Sequence, residues 1–299
     1  MRIERIRDVD EFLLISSDFR SRHSLLTNIV ASVALSVAGG RTYDAYFYWV
    51  IRDGADVVGV ALRTAPWNLV VSPMPYEAAE LLGATVVAAD PDLPGVNGPR
   101  QEVEAVYRGM QRLRKLQPRV HMTDVLYELA EYVPPPQIRG SARCATESDI
   151  PLLIAWHIQF ALGADVPVRD VERFVPVRVA AAGLWLWEVE GEPRAMAGHA
   201  DLVVAPTGTV GRIGPVYTPA EYRGRKYATA VTAHIIEILE PVCSTIMLYA
   251  DVANPASNAV YRRLGFQQVT EVIETYLMPN PASQAGSQPA TASGTQTAL

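Results

Sequence analysis

One segment of the chain combines several cations with the predicted start of a helix. Residues 215–228 read Pro-Val-Tyr-Thr-Pro-Ala-Glu-Tyr-Arg-Gly-Arg-Lys-Tyr-Ala. A strand ends here, a tight turn follows and a helix begins, so unpaired amides and the positive end of the helix dipole meet Arg223, Arg225 and Lys226. Such a junction binds anions, and diphosphate is the natural ligand. The same residues, taken alone, also fit a solvated basic first turn of a helix.

A second segment, residues 254–266, reads Asn-Pro-Ala-Ser-Asn-Ala-Val-Tyr-Arg-Arg-Leu-Gly-Phe. Asn254 suits the N-cap of a short helix, and Gly265 suits the residue just past its end. Asn254, Asn258 and Tyr261 are spaced by four and three residues, which places two amides and a phenol on one helix face. The alternative is a capping Asn, a surface Asn and a half-buried Tyr without a functional role.

Together, in this order and after three predicted antiparallel strands, the two segments resemble the acyl-CoA site of the GNAT (GCN5-related) N-acetyltransferase superfamily. The resemblance covers about residues 143–278. It implies a mixed central sheet flanked by helices, in which the strand ending near Thr218 separates from the strand at 245–251 and the pantetheine of acetyl-CoA lies in the gap. It also implies cofactor contacts from three groups of residues: the main chain of Val216, Tyr217 and Thr218 along the pantetheine; Arg223, Gly224, Arg225, Lys226, Tyr227 and Ala228 around the pyrophosphate; and Asn254 and Asn258.

By the same resemblance, Tyr261 is the general acid that protonates the departing thiolate. A phenol with a pKa of about 10, above the value of about 8.5 for a thiol, can donate a proton to the developing thiolate. The reaction then requires no metal and no covalent intermediate. The acceptor amine must also lose a proton before it attacks. His199, Asp201 and Glu188 are the candidate bases, each with a structural alternative, and a water relay could replace all three.

One position departs from the pattern of the superfamily, which is Gln or Arg, two residues, Gly, one residue, and Gly or Ala. Arg223 and Ala228 fit this pattern, but Lys226 occupies the inner glycine position. Its Cβ could hinder close approach of the backbone to a phosphate, whereas its ammonium could add a charge-assisted hydrogen bond.

The elements predicted for the carboxy-terminal half place both segments at the ends of strands. A capping signal at 146–149 starts a helix, and the further predicted elements are a helix over 171–182, strands over 184–190, 194–204 and 210–218, a helix from 223 to 241, a strand over 245–251, a helix over 255–264 and a strand over 269–278.

The amino-terminal half shows a similar order of elements with weaker signals. We predict a strand over 2–6, helices over 9–16 and 23–38, a hairpin over 46–51 and 56–62, a strand over 68–72, a helix over 76–82, a strand over 84–88, a helix over 100–115, and one or two strands over 119–133. This half is therefore predicted to be a degenerate GNAT-like copy, as in tandem enzymes such as mycothiol synthase, which the chain resembles in layout only.

Two stretches of the amino-terminal half bear on whether it has a site of its own. Residues 70–76 stand where the phosphate cradle should be, and two prolines there remove amides that an anion would need. Residues 93–99 read as a rigid, turn-rich loop, which is either scaffold or part of an acceptor pocket. We therefore expect acetyl-CoA to bind to the carboxy-terminal half alone.

Composition limits the class of protein and its partners. The 299 residues are 49% hydrophobic and 19% charged, which suits a globular protein of about two domains with a large core. A net charge of −6 supplies no positive field for a nucleic acid. Cys144 and Cys243 belong to no metal or redox motif, and residues 1–10 lack the apolar core of a secretory signal. The longest apolar stretch, 29–38, is too short for a membrane helix, so we expect a cytoplasmic protein without a membrane partner.

These observations predict a mixed α/β protein with a degenerate GNAT-like domain at 1–133, a Pro-rich linker at 134–142, a catalytic domain at 143–279 and a disordered tail at 280–299. The function expected is transfer of acetyl from acetyl-CoA to a primary amine of a small molecule or a peptide. The alternatives are a non-catalytic acyl-CoA binding or sensing protein, and an acyltransferase that uses a hydroxyl acceptor or a longer acyl chain. The sequence leaves a homodimer open.

Overall fold

The computed structural model describes residues 1–165, 168 and 170–279. Thirteen strands in this part of the chain form one mixed sheet with helices on both faces, which confirms the predicted α/β class. The predicted tail at 280–299 lies outside the described residues. No helix in the described part is both long enough and apolar enough to span a bilayer.

The amino-terminal half supplies six strands and five helices. In chain order they are β1 (Arg2–Ile6), α1 (Val9–Ile15), α2 (Ser17–Arg22), α3 (Asn28–Ala38), β2 (Tyr46–Asp53), β3 (Asp56–Thr64), β4 (Leu69–Val71), α4 (Tyr76–Ala89), β5 (Gly95–Pro99), α5 (Arg100–Gln111) and β6 (Leu116–Leu129).

The carboxy-terminal half repeats this order, with one helix fewer before its second strand and one short additional strand. Its elements are β7 (Ser141–Cys144), α6 (Ile150–Gly163), α7 (Val171–Ala180), β8 (Leu184–Val189), β9 (Glu192–His199), β10 (Val203–Ala205), β11 (Gly208–Tyr217), α8 (Tyr227–Leu239), β12 (Thr245–Asp251), α9 (Pro255–Arg263) and β13 (Phe266–Pro279). The repeated order confirms that the first half is a copy of the same fold.

The two halves exchange their last strands. The order across the sheet is β1-β2-β3-β4-β5-β13-β6-β12-β11-β9-β8-β7, and β10 pairs with β11. Strand β13 therefore lies between β5 and β6, while β6 of the first half lies between β13 and β12 of the second. Residues 130–140, within and before the predicted linker, contain no helix or strand. The predicted boundaries thus divide the chain but do not divide the sheet.

The prediction of a short helix followed by a strand at 84–88 is wrong. Helix α4 continues to Ala89, because Gly83 is a packing residue and does not end the helix. A Cβ at Gly83 would lie 1.9 Å from the Val106 carbonyl oxygen, and a Cβ at Gly109 would lie 1.8 Å from that of Glu80. The two glycines let α4 and α5 approach backbone to backbone.

The prediction of a loop at 93–99 is also wrong, because residues 95–99 form strand β5. This strand pairs with β4 on one side and with β13 on the other. Gly95 lies against the backbone of β13, where a Cβ would meet the Thr275 carbonyl oxygen at 1.8 Å. A glycine that reads as a turn in the sequence is here a site of close strand approach.

The two faces of the sheet carry different helices around the second half. Helices α8 and α9 pack on one face, where Val231 and Tyr261 share a core cluster with Leu248 and Val125. Helices α6 and α7 pack on the opposite face, and residues 25–31 cover the neighbouring part of it around Met247 and Leu126. Because side chains alternate along a strand, each strand residue can be assigned to one of these two faces.

Candidate active site

Strands β11 and β12 pair over only part of their length. Their parallel register runs from Val210↔Thr245 to Ile213↔Leu248. Beyond Ile213 the register of β11 shifts, and its end pairs with β9 through Val216 and Tyr217. Successive residues of a strand direct their N–H and C=O groups to opposite edges, so alternate residues of this end direct theirs to the side that β12 has left. An opening with unpaired main-chain groups lies between the two strands.

At the end of β11, the side chains of residues 216–218 contribute little to this opening. The Tyr217 hydroxyl donates to Gln159 Oε1 at 2.7 Å, and the Tyr217 ring lies 6.1 Å from that of Trp156. Val216 packs against the α8 core. The buried Thr218 Oγ1 has no hydrogen-bond partner among the described residues. The main chain is therefore what this segment can offer a ligand.

The loop before α8 presents exposed cations. Arg223, Gly224, Arg225 and Lys226 are all exposed, and Arg223 Nε donates to the Thr218 carbonyl oxygen at 3.2 Å. None of the three cations forms an ion pair within the described ranges. Gly224 and Lys226 have φ values of 77° and 65°, so the loop turns through two left-handed residues. The positive charge of this loop is left for a ligand.

The first turn of α8 has free amides. The helix begins at Tyr227, four residues later than predicted, and its first backbone bond joins Ala230 N to Lys226 O at 3.0 Å. No side chain caps this end, and no acidic residue lies in the first turn. The amides at 227–229 and the helix dipole therefore create an anion site. The Tyr227 side chain is buried in the core, so only its main chain is available, whereas Ala228 is half-buried.

Asn254 and Asn258 differ in their availability to a ligand. Asn254 is exposed and caps α9 by accepting from Ser257 N at 3.1 Å. Asn258 is only 6% exposed, and its Nδ2 donates to the carbonyl oxygens of Asp251 and Asn254 at 2.8 and 2.7 Å. Its Oδ1 accepts from the Tyr127 hydroxyl at 2.8 Å. The expectation that Asn258 contacts the cofactor is corrected, because its amide ties α9 to β12 and β6.

Tyr261 lies on the same face of the sheet as α8. It is 8% exposed, and its ring packs against Tyr127 and Phe266 at centroid distances of 6.3 and 6.1 Å. Its hydroxyl makes no hydrogen bond to any residue that the structure describes. Burial raises the pKa of the phenol to about 12. The group therefore stays protonated throughout the range in which an enzyme works.

Of the candidate bases predicted from the sequence, Glu188 is held in an ion pair, whereas His199 is opposite Ile213 of β11. Glu188 Oε1 accepts from Arg143 Nε at 2.6 Å, so this carboxylate is committed to an ion pair. His199 Nδ1 lies 3.0 Å from the Ala200 carbonyl oxygen, and Asp201 is exposed. Glu188 is therefore the least available of the three, and the roles of His199 and Asp201 stay predictions.

Arg178 is a positioning residue that the sequence did not reveal. Its guanidinium donates to the carbonyl oxygens of His199 and Gly214 at 2.6 and 2.8 Å, which braces β11 where it turns away from β12. Burial lowers its pKa to about 10. In the sequence, Arg178 resembles an ordinary cation in the last turn of a helix, which carries no signal of this role.

The corresponding place in the first half has a different chemistry. Helix α4 begins after Pro75, no side chain caps it, and Pro73 also lacks an amide hydrogen. On α5, the Tyr107 hydroxyl is hydrogen-bonded to Thr275 Oγ1 of the exchanged strand β13. Around the start of α4 and along α5, the described structure therefore shows neither the cationic loop nor a phenol without a partner that would correspond to Tyr261.

Comparisons with known proteins agree with this geometry. Residues 154–266 match the model of the Acetyltransferase (GNAT) family. A GCN5-related N-acetyltransferase from Sphaerobacter thermophilus superposes with a TM-score of 0.59 at 14% identity, covering 92% of this chain and 95% of that one. A GNAT acetyltransferase from Colwellia psychrerythraea has a TM-score of 0.57 at 11% identity, with 93% and 100% covered. A tandem GNAT protein from the clavulanic acid biosynthesis pathway has a TM-score of 0.52 at 13% identity, with 93% and 98% covered.

No curated protein matches the chain. At such identities the structural likenesses establish the fold, and they extend it over both halves. Members of the matched family use acetyl-CoA, which implies acyl transfer that depends on acyl-CoA. The carboxy-terminal half of this chain contains a domain of the GNAT acetyltransferase family.

Proposed function

We propose that the chain transfers the acetyl group of acetyl-CoA to a primary amine of a small molecule or a peptide. One observation carries this proposal: the opening between β11 and β12 has the uncapped start of α8 with its unpaired cations nearby, and the free phenol of Tyr261 on the same face. The groups proposed to hold acetyl-CoA and the phenol proposed to act in the reaction are therefore gathered around one opening.

Each part of the opening suits one part of acetyl-CoA. The amides at 227–229, Arg223, Arg225 and Lys226 bind the diphosphate by charge-assisted hydrogen bonds. The main-chain groups of residues 216–218 that face the gap and are not paired with β9 bind the amide groups of the pantetheine, as an added strand would. This arrangement directs the thioester into the gap between the strands.

The Tyr261 phenol is proposed to protonate the leaving sulfur. The amine nitrogen attacks the carbonyl carbon, a carbon–nitrogen bond forms, and the carbon–sulfur bond breaks. The sulfur takes the phenolic proton, and the phenol is restored by a proton that the attacking nitrogen releases. Because the pKa of Tyr261 is about 12, the phenol holds its proton until negative charge develops on sulfur.

A kinetic experiment tests this role. Thiol release from acetyl-CoA is measured with amines that include polyamines, aminoglycosides, amino acids and peptides. We expect Tyr261→Phe to keep the ring and its packing, and to lower kcat by about a hundredfold or more. Tyr132→Phe is the matched control, since the Tyr132 hydroxyl binds Glu237 at the surface. A loss of less than tenfold for Tyr261→Phe would show that the sulfur draws its proton elsewhere.

A binding experiment tests the donor site separately. Isothermal titration with acetyl-CoA should give one site per chain. A cationic loop precedes α8, whereas no cation stands at 70–75 before α4, and Glu77 lies in the first turn of α4. Arg223→Glu and Arg225→Glu should each weaken binding by about 1–3 kcal/mol. Two sites, or unchanged affinity in both variants, would contradict the assignment. Binding without turnover of any amine would favour the acyl-CoA sensor.

We also propose a cytoplasmic location, with no nucleic acid as partner. The support is the net charge of −6 and the two unpaired thiols, Cys144 and Cys243.

A further inference from the structure

The face of the sheet opposite α8 and α9 carries charged side chains beside the same opening. Tyr249 and Leu126 share a cluster on this face, so alternation places Asp251 and Asp124 there as well. Cross-strand pairing sets Asp124 of β6 directly opposite Asp251 of β12. Asp251 lies three residues beyond Leu248, where β11 and β12 separate. Asp124 therefore lies one strand away from the open end of β12.

Asp124 is the free carboxylate of an acidic group. Asp251 Oδ1 accepts from Ala253 N at 2.8 Å, and Glu274 Oε1 accepts from the Tyr276 hydroxyl at 2.9 Å. Asp124 has no hydrogen bond or ion pair within the ranges that the structure describes. Burial, followed by the negative charges of Asp251 and Glu274, raises the pKa of Asp124 to about 6. A half-buried carboxyl with this pKa can exchange protons near neutral pH.

Tyr249, on the same face of β12, lies close enough to Asp124 for the charge of that carboxylate to act on it. Burial raises the pKa of Tyr249 to about 12; the positive charge of Arg212 opposes this rise, and the negative charge of Asp124 adds to it. The Tyr249 hydroxyl has no hydrogen bond in the described structure. Asn28 is 1% exposed, its Oδ1 accepts from Arg212 Nε at 2.9 Å, and its Nδ2 has no partner. A buried amide is normally satisfied, so the Nδ2 of Asn28, beside Arg212, is an exception in the described structure.

A metal ion is not the ligand that this arrangement suits. No group of three His, Cys, Asp or Glu side chains among the described residues could hold one ion. The carboxylates act on one another through charge and do not converge on a common point. A cationic group that lies beside Asp124 would relieve the repulsion among Asp124, Asp251 and Glu274.

We propose that the ammonium group of the acceptor binds on this face of the sheet beside the opening, and that the Asp124 carboxylate takes a proton from it. The inference rests on the acetyl transfer proposed above. The ammonium loses one proton to Asp124 and becomes an amine, which attacks the thioester carbonyl. Asp124 then returns its proton to solvent. The acid, Tyr261, and the base, Asp124, lie on opposite faces of the sheet, so they serve the leaving sulfur and the incoming nitrogen separately.

The base thus comes from the degenerate half. Strand β6 belongs to the first half by sequence, yet it lies beside β12 of the second half because of the strand exchange. The first half would then complete the active site through Asp124, although it has no cradle of its own. Without the exchange, no residue of β6 would reach the opening.

The test compares Asp124→Asn with Glu128→Gln, using n-butylamine and 1,4-diaminobutane as probes. Glu128 lies on the same strand and the same face as Asp124, four residues away and opposite Met247. Rates of thiol release are measured from pH 5 to 10, with acetyl-CoA affinity measured by titration in parallel. Wild-type kcat/KM should rise up to the pKa of Asp124, about 6, and then level off, because the base deprotonates the bound ammonium.

Asp124→Asn should be slower by at least about a hundredfold at pH 7. Its rate should keep rising with pH toward the amine pKa of about 10.4, because only free amine then reacts, so the deficit shrinks at high pH. Glu128→Gln should follow the wild type, and all three proteins should bind acetyl-CoA equally. The groups whose charge couples to Asp124 and would distort this profile are Asp251, Glu274 and Tyr249, and Arg212 acts on Tyr249 in turn.

Three results would overturn the inference while leaving the donor site intact. The first is a rate of Asp124→Asn that levels off with pH as in the wild type. The second is a rate deficit of Asp124→Asn that does not shrink at high pH. The third is a wild-type protein that binds acetyl-CoA but acetylates neither amine. Failure of the wild type to bind acetyl-CoA would instead refute the proposed function itself.

Discussion

Replacing Lys226 by glycine should stabilise the protein while it weakens coenzyme binding. Lys226 is the N-cap of α8 with φ 65° and ψ 16°, a left-handed conformation that disfavours residues with a Cβ. Its side chain is exposed and forms no ion pair with any described residue. The side chain therefore contributes little to the folded state apart from its charge.

The expected magnitudes follow from two opposing effects on stability and one on binding. A non-glycine residue in the left-handed region costs about 1–2 kcal/mol, and glycine costs about 0.5–1 kcal/mol through the freedom of the unfolded chain. The net gain for Lys226→Gly is about 0.5–1 kcal/mol, or roughly 1–4 °C in Tm for a protein of this size. Loss of an exposed ammonium from a phosphate site should weaken binding by about 1 kcal/mol, roughly fivefold.

Thermal unfolding and titration with acetyl-CoA check both expectations. Lys226→Met removes the charge but keeps the Cβ, so it should lose the affinity without gaining the stability. Ala182→Gly is the matched backbone control, because Ala182 has φ 53° and lies in the turn between α7 and β8. It should gain stability without any change in affinity. A Lys226→Gly protein less stable than the wild type would refute the argument from backbone strain.

Two further predictions concern residues that hold the site together. Asn258→Ala should lower the free energy of unfolding by about 2–4 kcal/mol, because the Tyr127 hydroxyl and two carbonyl groups lose their buried partner, whereas exposed Asn254→Ala should cost about 1 kcal/mol. Equal losses in chemical denaturation would contradict the structural role of Asn258. Hydrogen bonding from Arg143 lowers the pKa of Asp149 to about 2. Asp149 therefore stabilises the folded state at pH values above its unfolded pKa of about 3.9. This stabilisation is lost as the pH falls toward 2. Asp149→Asn should therefore cost about 1–2 kcal/mol at pH 7 and almost nothing at pH 2, as followed by denaturation at both values.

Local signals in the sequence predicted the carboxy-terminal half well. The strand at 245–251 and the helix from Pro255 have the predicted bounds or nearly so, because a buried apolar run, a capping Asn and a closing Gly265 are all local features. The cationic loop was recognised for the same reason. The start of α8 was placed too early, since nothing local shows that Lys226 would adopt a left-handed conformation.

Features that depend on distant parts of the chain could not be predicted. Gly83 reads as the end of a helix until the backbone of α5 is known to pack against it. Asn258 lies on the predicted helix face, but Tyr127, which accounts for its burial, lies 131 positions earlier. Asp124 has no motif around it, and its environment is created by strands β12 and β13. Pairing between distant strands leaves no periodic trace in a single sequence.

The exchange of β6 and β13 bears on how the chain reaches its native state during synthesis. Strand β13, which lies between β5 and β6, begins at Phe266, about 140 residues after β6 ends at Leu129. At about 5–20 residues per second, ribosomes need roughly 7–30 s to translate that distance. During this time the nascent first half presents one unpaired edge of β5 and at least one of β6, which are surfaces prone to aggregation. We expect a chain truncated before residue 266 to leave both halves without a finished sheet. For the full chain we expect slow folding, because long-range contacts dominate.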